Sequence, residues 1–493
     1  MKKTLLFILF VQITYNVFSQ DCNCSSNLEW LIETFENNDA GFQYIVDKKG
    51  ENTYQAHNKL FREKASDIND LNECHKTLNE WTDFFRKSHL DVQLLQQSEQ
   101  QRGQQNNKLT DKEIIEKYSK SEIFEISKKK FDKHIKRLKE KTIFEGIWIL
   151  EPYTIGIIKD KSNPKREYVG FIINSNTPYW QNNQVKLEIF KSDTEDKYSA
   201  NYYMRDHSIN HFDDIKFIGK NYLKLGFISL KRILPKNETE PKIELYFKSI
   251  NAEKPFVEKI SKSTVLLRIP SFGQENKSLI DSLLTINQNL ITSHKNLVID
   301  LRDNGGGSDE SYNKLIPYLY TNPIRSVGVE YLSTPLNNKR MTFIMNNTNF
   351  PDDTRKWAKE SLKKLNMNIG KFVTLNDNIV NVDTLDTIYF YPKNVAILIN
   401  RNCGSTTEQF LLEAKQSKKV KLFGTTTLGS LDISNMYFVN SPCDEFKLWY
   451  GLTKSYRIPE MTIDNIGIQP DFFLDKTVPE YEWIDYTLKI LNE

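Results

Sequence analysis

"NVAILINRNCGSTTEQFLLEAKQ", residues 394–416, reads as a strand, a tight turn and a helix. The run 394–400 is apolar with β-branched residues, the pattern of a buried strand. Gly404 marks the turn, and "TEQFLLEAKQ" continues as a helix. Such a turn exposes a side chain beside the unpaired N–H groups of a helix N-terminus. Ser405 sits there, followed three residues later by Glu408. "STTE" fits a helix capping box, and it equally fits a hydroxyl held out for chemistry. The two readings are compatible in part, since Glu408 can tie the turn while Ser405 points out.

Outward from this stretch, residues 260–475 alternate strands and helices. "STVLLRIPSF" and "KNLVIDLRDN" are strand-like, and "NKSLIDSLLTINQNLITSH" is a helix. "KVKLFGTTTLG" is another strand and turn, after an insertion-like region at about 325–390. This alternation predicts a mostly parallel sheet. In "VIDLRDNGGGS" (298–308) three glycines end a strand, where the backbone can approach a ligand closely and aim N–H groups at an anion. The pattern is neither GxGxxG nor a P-loop, so nucleotide phosphate is not indicated.

Upstream, residues 20–95 read as a helical bundle. "NLEWLIETFENN" places apolar residues at 28, 31, 32 and 35. Residues 96–140 combine a Gln-rich polar linker with a charged helix whose lysines make a solvated face. Residues 141–250 carry short alternating runs such as "REYVGFIIN", "NYLKLGFISL" and "KIELYFKSI", which predict an antiparallel β-rich domain.

The chain has 493 residues, 39% hydrophobic, and a net charge of +3, so it builds several cores and shows no nucleic-acid footprint. "MKKTLLFILFVQITYNVFSQ" has a basic start and an apolar middle, the pattern of a secretory signal over 1–19. Gln12, Thr14, Tyr15 and Asn16 break the apolar run short of a membrane span, and "FSQDC" has Asp where a lipoprotein signal needs a small residue. A periplasmic or extracellular chain can pair some of Cys22, Cys24, Cys74, Cys403 and Cys443. Cys74 with Cys22 or Cys24 would staple the N-terminal helices, and the odd count leaves a thiol free. No paired CxxC and His pattern indicates zinc. His207 and His211 have i, i+4 spacing but lie in a loop without a third ligand.

Four motifs occur in order. Asp300, Arg302, Asn304, Gly306 and Gly307 form D-x-R-x-N-x-G-G, and Ser405 precedes Glu408 at a helix start. Gly424, Thr427 and Gly429 form G-x-x-T-x-G, and Gly467, Ile468, Pro470 and Asp471 form G-[IV]-x-P-D. Together they resemble the S41 peptidases, the C-terminal processing and tricorn-like serine proteases, over roughly 260–475. The resemblance implies an α/β core of ClpP/crotonase-like type over 251–493, a protein or peptide substrate, Ser405 as nucleophile and no cofactor or metal. Asp300, Arg302 and Asn304 read as turn scaffolding. The oxyanion hole is expected from the Gly305–Gly307 turn, with Gly306 favoured, and from the N–H of Thr406.

The processing branch places a general-base Lys directly after G-x-x-T-x-G, where this chain has Ser430. The tricorn-like branch takes its base from a Ser-His pair ending an N-terminal helical segment. Ser88 and His89 in "DFFRKSHLDVQLL" match that place. A neutral imidazole with a pKa near ~6.5 can accept the hydroxyl proton. The resemblance assigns the supporting acid to Asp464, a position where the family has Glu, with Glu460 in reserve and Ser88 as an intermediary. The sequence thus predicts an exported serine endopeptidase. The alternative is a catalytically weak relative that binds peptides or hydrophobic ligands in the same cleft.

Overall fold

The structure is a computed structural model and describes residues 22–95, 110–138, 143–192 and 197–492. The secretory signal lies outside the described residues, as does most of the Gln-rich linker. The chain divides into two compact units. The first takes 1–99 and 253–475, and the second takes 100–252 and 476–493.

The first unit contains a six-stranded sheet. Thr264–Arg268, Asn296–Asp300, Asn394–Ile399, Val420–Gly424 and Phe472–Phe473 run parallel in that order, with Phe256–Lys259 antiparallel at the edge. The strands Thr264–Arg268 and Asn296–Asp300 are buried at every residue, as expected for a parallel sheet covered on both faces. Val265, Leu267, Ile299, Ile397 and Leu422 form its core with Phe410 and Leu411 of the helix Thr406–Ala414. Arg268 pairs in register with Asp300, Asp300 with Leu398, and Leu398 with Phe423. The turns that leave these strands, at 301–308, 400–405 and 425–430, therefore gather at one carboxyl end of the sheet. Open α/β sheets bind ligands at that end.

A second sheet in this unit settles the place of the N-terminal helices. Its central strand, Phe446–Ser455, pairs with Ile433–Asn440 on one side and with Asp91–Leu94 and Val329–Leu332 on the other. Leu28, Leu31, Phe35, Trp81 and Phe85 share one core with Phe446, Leu448 and Tyr450. The helices of 20–95 are therefore not a free-standing bundle. Their apolar stripes, read correctly from the sequence, close against a strand some 350 residues later, which no local pattern can reveal. Cys24 is bonded to Cys74, one of the two expected staples, and Cys22 is bonded to Cys443. Cys403 is the free thiol and is buried.

The second unit is a nine-stranded antiparallel sheet spanning Gly146–Leu150 to Ile228–Leu234. The segment "KIELYFKSI" belongs to the helix Pro241–Ile250, not to a strand. Ile243, Tyr246, Phe247 and Ile250 follow helical spacing, and Tyr222 stacks on Phe247 at 3.7 Å. Its aromatic and β-branched content mimicked a strand. The C-terminal helix Trp483–Asn492 also belongs to this unit, and Tyr246 Oη donates to Glu480 at 3.0 Å. His207 stacks between Trp180 and Tyr118, and its ring nitrogens meet Ser121 and the Tyr179 carbonyl. His211 meets Asn201 and Asp213, so the two rings do not converge on a shared point.

Candidate active site

Ser405 occupies the turn between the strand Asn394–Ile399 and the helix Thr406–Ala414, with φ 56° and ψ −124°. A non-glycine residue at positive φ is strained, and such strain persists where the surroundings over-determine it. Several bonds do so here. The Ser405 N–H donates to Glu408 Oε2 at 3.2 Å, the carboxylate half of the expected capping box. The Gly404 N–H donates to the Asn304 carbonyl at 3.2 Å, and Thr407 Oγ1 donates to the same oxygen at 2.9 Å. Glu408 is buried and also accepts from Thr427 Oγ1 at 2.5 Å and from the N–H groups of Gly429 and Ser430 at 2.8 Å each. Burial pushes its pKa up, against the pull of these bonds. One carboxylate thus ties the Ser405 turn to the G-x-x-T-x-G turn.

The second partner arrives from the other end of the chain. His89 lies between the helix Leu71–Thr82 and the strand Asp91–Leu94, at φ 54°. Pairing of that strand with Phe446–Ser455 carries the turn to the sheet end. Arg86 fixes it further. Its guanidinium forms a buried two-pronged ion pair with Asp39, and Nη2 also donates to the His89 carbonyl at 2.8 Å. Asp39 in turn accepts the N–H groups of Gly41 at 2.9 Å and Gly451 at 3.1 Å. The Gly451 contact ties Asp39, and through Arg86 the His89 turn, to the central strand of the second sheet.

His89 Nε2 stands 3.2 Å from Ser405 Oγ. Nδ1 stands 2.7 Å from the carbonyl of Ile433. A carbonyl can only accept, so Nδ1 carries the proton and Nε2 presents its lone pair to the hydroxyl. Desolvation of the ring lowers the His89 pKa, and the Arg86 cation adds to this against the opposing Ile433 carbonyl. The imidazole is neutral at neutral pH.

Asp464 does not meet the imidazole. Its carboxylate accepts the N–H groups of Leu431 at 2.6 Å, Asp432 at 2.7 Å and Ile433 at 3.1 Å. It holds the peptide immediately before the one whose carbonyl meets Nδ1. One methylene shorter than the Glu of the family pattern, it ends on backbone rather than on the ring. Burial and neighbouring Asp432 raise its pKa. Asp432 is itself held by Arg457 Nε at 2.9 Å and by the N–H groups of Ile463 and Asp464. The Ser88 hydroxyl makes no hydrogen bond to His89 among the described residues, and Glu460 is exposed.

The glycine turn lies against Ser405. Asp300 is fully buried between Arg302, which reaches it with two nitrogens at 2.9 and 2.7 Å, and Arg268. Burial opposes its charge, yet the two guanidinium groups hold its pKa below the ordinary value. Asn304 Oδ1 accepts the Gly306 N–H at 3.0 Å and the Thr407 hydroxyl at 2.9 Å. The D-x-R-x-N motif is scaffolding, as the sequence suggests. Gly306 is not an available oxyanion donor, because its N–H is already given to Asn304. A Cβ on Gly306 would stand 2.9 Å from Ser405 Cβ and 2.7 Å from the Gly404 carbonyl, so close approach is what this glycine provides. Gly307 pairs with Phe272 through the flanking peptides, which leaves its own groups facing the opposite side. There its carbonyl accepts the Thr406 hydroxyl at 3.0 Å. Gly305 is open to solvent on the outer edge of the turn.

Sequence reasoning brought Ser405 and His89 together and missed Arg86, Asp39 and the Ile433 carbonyl. Arg86 stands three residues before His89, but only the fold shows that its guanidinium turns back onto the His89 carbonyl. A backbone carbonyl leaves no trace in a sequence.

Residues 263–474 match the family model described as peptidase family S41. Three solved structures resemble the whole chain at 11% identity. Mature CPAF matches with a TM-score of 0.50 over 95% of this chain and 96% of that one. Mature CPAF complexed with lactacystin gives 0.50 over 95% and 97%, and a CPAF mutant gives 0.51 over 95% and 96%. At this identity the likeness is one of fold. A comparison with curated proteins found no match.

Proposed function

We propose, from the premise that the chain is a serine-type peptidase of family S41, that Ser405 is its nucleophile and His89 its general base. The observation that carries this reading is the 3.2 Å approach of His89 Nε2 to Ser405 Oγ, with Nδ1 engaged by a carbonyl. Ser405 Oγ attacks the carbonyl carbon of a peptide bond while its proton passes to His89 Nε2. The tetrahedral intermediate collapses, the C–N bond breaks, and His89 returns the proton to the leaving amine. Water then attacks the acyl-enzyme, giving its proton to His89 and releasing the acid and the Ser405 hydroxyl.

The oxyanion is assigned to the N–H groups of Thr406 and Gly307. Thr406 begins the helix after the nucleophile, and Gly307 turns its peptide groups toward Thr406. Asp464 acts through the Ile433 peptide as a positioning residue. Export to the periplasm or beyond is supported by two disulfides and by the leader-like pattern of 1–19. No helix among the described residues is long and apolar enough to cross a membrane.

One observation favours a second reading. The Nδ1 partner is a neutral carbonyl rather than a carboxylate, which stabilises an imidazolium less. In that reading the cleft binds peptides or hydrophobic ligands and cleaves weakly. A fluorophosphonate probe separates the two. The enzyme reading predicts labelling that vanishes in Ser405→Ala and falls sharply in His89→Ala; an unlabelled wild type that cleaves no unfolded protein favours the binding reading.

A further inference from the structure

A cavity of about 870 Å³ opens in the first unit beside the nucleophile turn. Three separated segments line it: 45–49, 83–87 and 401–402, with Thr427 and Leu428 from the G-x-x-T-x-G turn. It adjoins both halves of the pair. Arg401 and Asn402 lead directly into Cys403, Gly404 and Ser405. Leu428 is 45% exposed and packs against Gly404, where a Cβ would meet its Cδ2 at 3.1 Å. On the other side Arg86 holds the His89 carbonyl at 2.8 Å.

The charge on this cavity is one-sided. Lys48, Lys49, Lys87 and Arg401 are exposed along it, against Asp83 alone. Arg86 adds no free charge, because Asp39 neutralises it in the buried ion pair. The whole chain carries 67 cationic and 64 anionic side chains, so this local excess is not a reflection of composition. A concave surface with charge of one sign focuses its field and concentrates ligands of the other sign. The cations come from three chain segments rather than one point, which suits several carboxylates along an extended strand better than a single terminal one. Exposed Leu428 adds apolar surface for the stems of such side chains.

We infer that this cavity is a substrate subsite for a peptide segment rich in Asp or Glu, flanking the bond presented to Ser405. The inference rests on the proposed peptidase reading for the word substrate, but the binding it describes does not require cleavage.

The test uses the full chain with Ser405→Ala and three fluorescent peptides: a glutamate-rich peptide, its glutamine counterpart, both amidated, and the glutamine peptide with a free C-terminal carboxylate. Anisotropy should show ~10-fold or tighter binding of the glutamate peptide at low salt, weakening as salt rises. The Lys48→Glu, Lys87→Glu, Arg401→Glu protein should lose or invert that preference. The milder Lys87→Gln, Arg401→Gln protein should reduce it by a smaller factor, and unchanged melting curves show that each variant folds. Equal affinity for the glutamate and glutamine peptides overturns the inference, as does a preference that survives charge reversal. Tighter binding of the free-carboxylate peptide alone overturns it in favour of terminal capture. Preferential binding by a wild type that cleaves no peptide leaves the subsite standing and removes the catalytic reading.

Discussion

The carbonyl of Ile433 accepts the Nδ1 proton of His89 at 2.7 Å, and this one bond decides which nitrogen faces Ser405. Asp464 stands one peptide further back: its carboxylate holds the Ile433 N–H at 3.1 Å and the two preceding N–H groups more closely. Asp464→Asn keeps the shape but offers a single oxygen to three donors. Because the effect reaches His89 through the backbone, kcat is expected to fall by ~10²-fold with KM little changed. A carboxylate touching the imidazole costs ~10⁴-fold when removed in the same way. Steady-state kinetics of Asp464→Asn and Asp464→Glu distinguish the two magnitudes, and Asp464→Glu should restore part of the rate.

The pH profile follows from the ring's surroundings. Desolvation, aided by Arg86, lowers the His89 pKa from its ordinary 6.5. The acid limb of kcat/KM is therefore expected below pH 6.5, with full activity at neutrality. The same shift has a sign for stability. The unfolded ring takes up a proton as pH falls through 6.5 while the folded ring does not, so stability is lost as pH falls below that value. An acid limb at or above the ordinary value contradicts this environment, and denaturation midpoints across the same window check the stability arm.

The Arg86–Asp39 pair is expected to matter more when half broken than when wholly replaced. Its side chains are 3% and 0% exposed. Asp39→Ala leaves a buried guanidinium, and Arg86→Ala a buried carboxylate, each at a cost of about 3–5 kcal/mol. Arg86→Ala also releases the His89 carbonyl. A variant carrying both Asp39→Ala and Arg86→Met should be less destabilised than the sum of the two single changes, while activity stays low because the His89 turn is unmoored. Chemical denaturation and peptidase assays of the set measure both effects.

The cysteines give a prediction free of catalysis. Cys22–Cys443 links segments 421 residues apart, and Cys24–Cys74 closes a span of 50. Replacing Cys443 with Ser should lower stability by about 2–5 kcal/mol. Cys403 is buried with its Sγ 3.0 Å from the Leu301 carbonyl, and burial pushes its thiol up to about 12. A thiol reagent should label the native wild type slowly and the unfolded protein at one site. Rapid native labelling at Cys403 would contradict the packing of the turn that carries Ser405.

Local pattern carried the reading of much of the fold. Apolar runs such as "NVAILIN" and the ordered glycine motifs announce a parallel sheet whose turns share one end, because strand burial and turn chemistry are written in adjacent residues. Ser88–His89 and Ser405 are separated by more than three hundred residues, so only motif order could link them. What stayed hidden is non-local or lies in the backbone. The closing of the N-terminal helices on Phe446–Ser455, the Arg86–Asp39 pair and the Cys22–Cys443 bond depend on strand register between distant segments. Gly306 shows the limit of a motif position. Its conformation was legible, at φ 105°, but the engagement of its N–H by Asn304 was not.

The measurement that bears most directly on the account is peptidase activity in Ser405→Ala, His89→Ala and the double variant. Two residues acting as one nucleophilic unit give non-additive losses. Each single variant is expected to lose at least ~10³-fold in kcat, and the double variant to be no slower than the worse single. A His89→Ala enzyme within a few-fold of wild type, or a double variant whose loss is the product of the two, would contradict the pairing of Ser405 with His89.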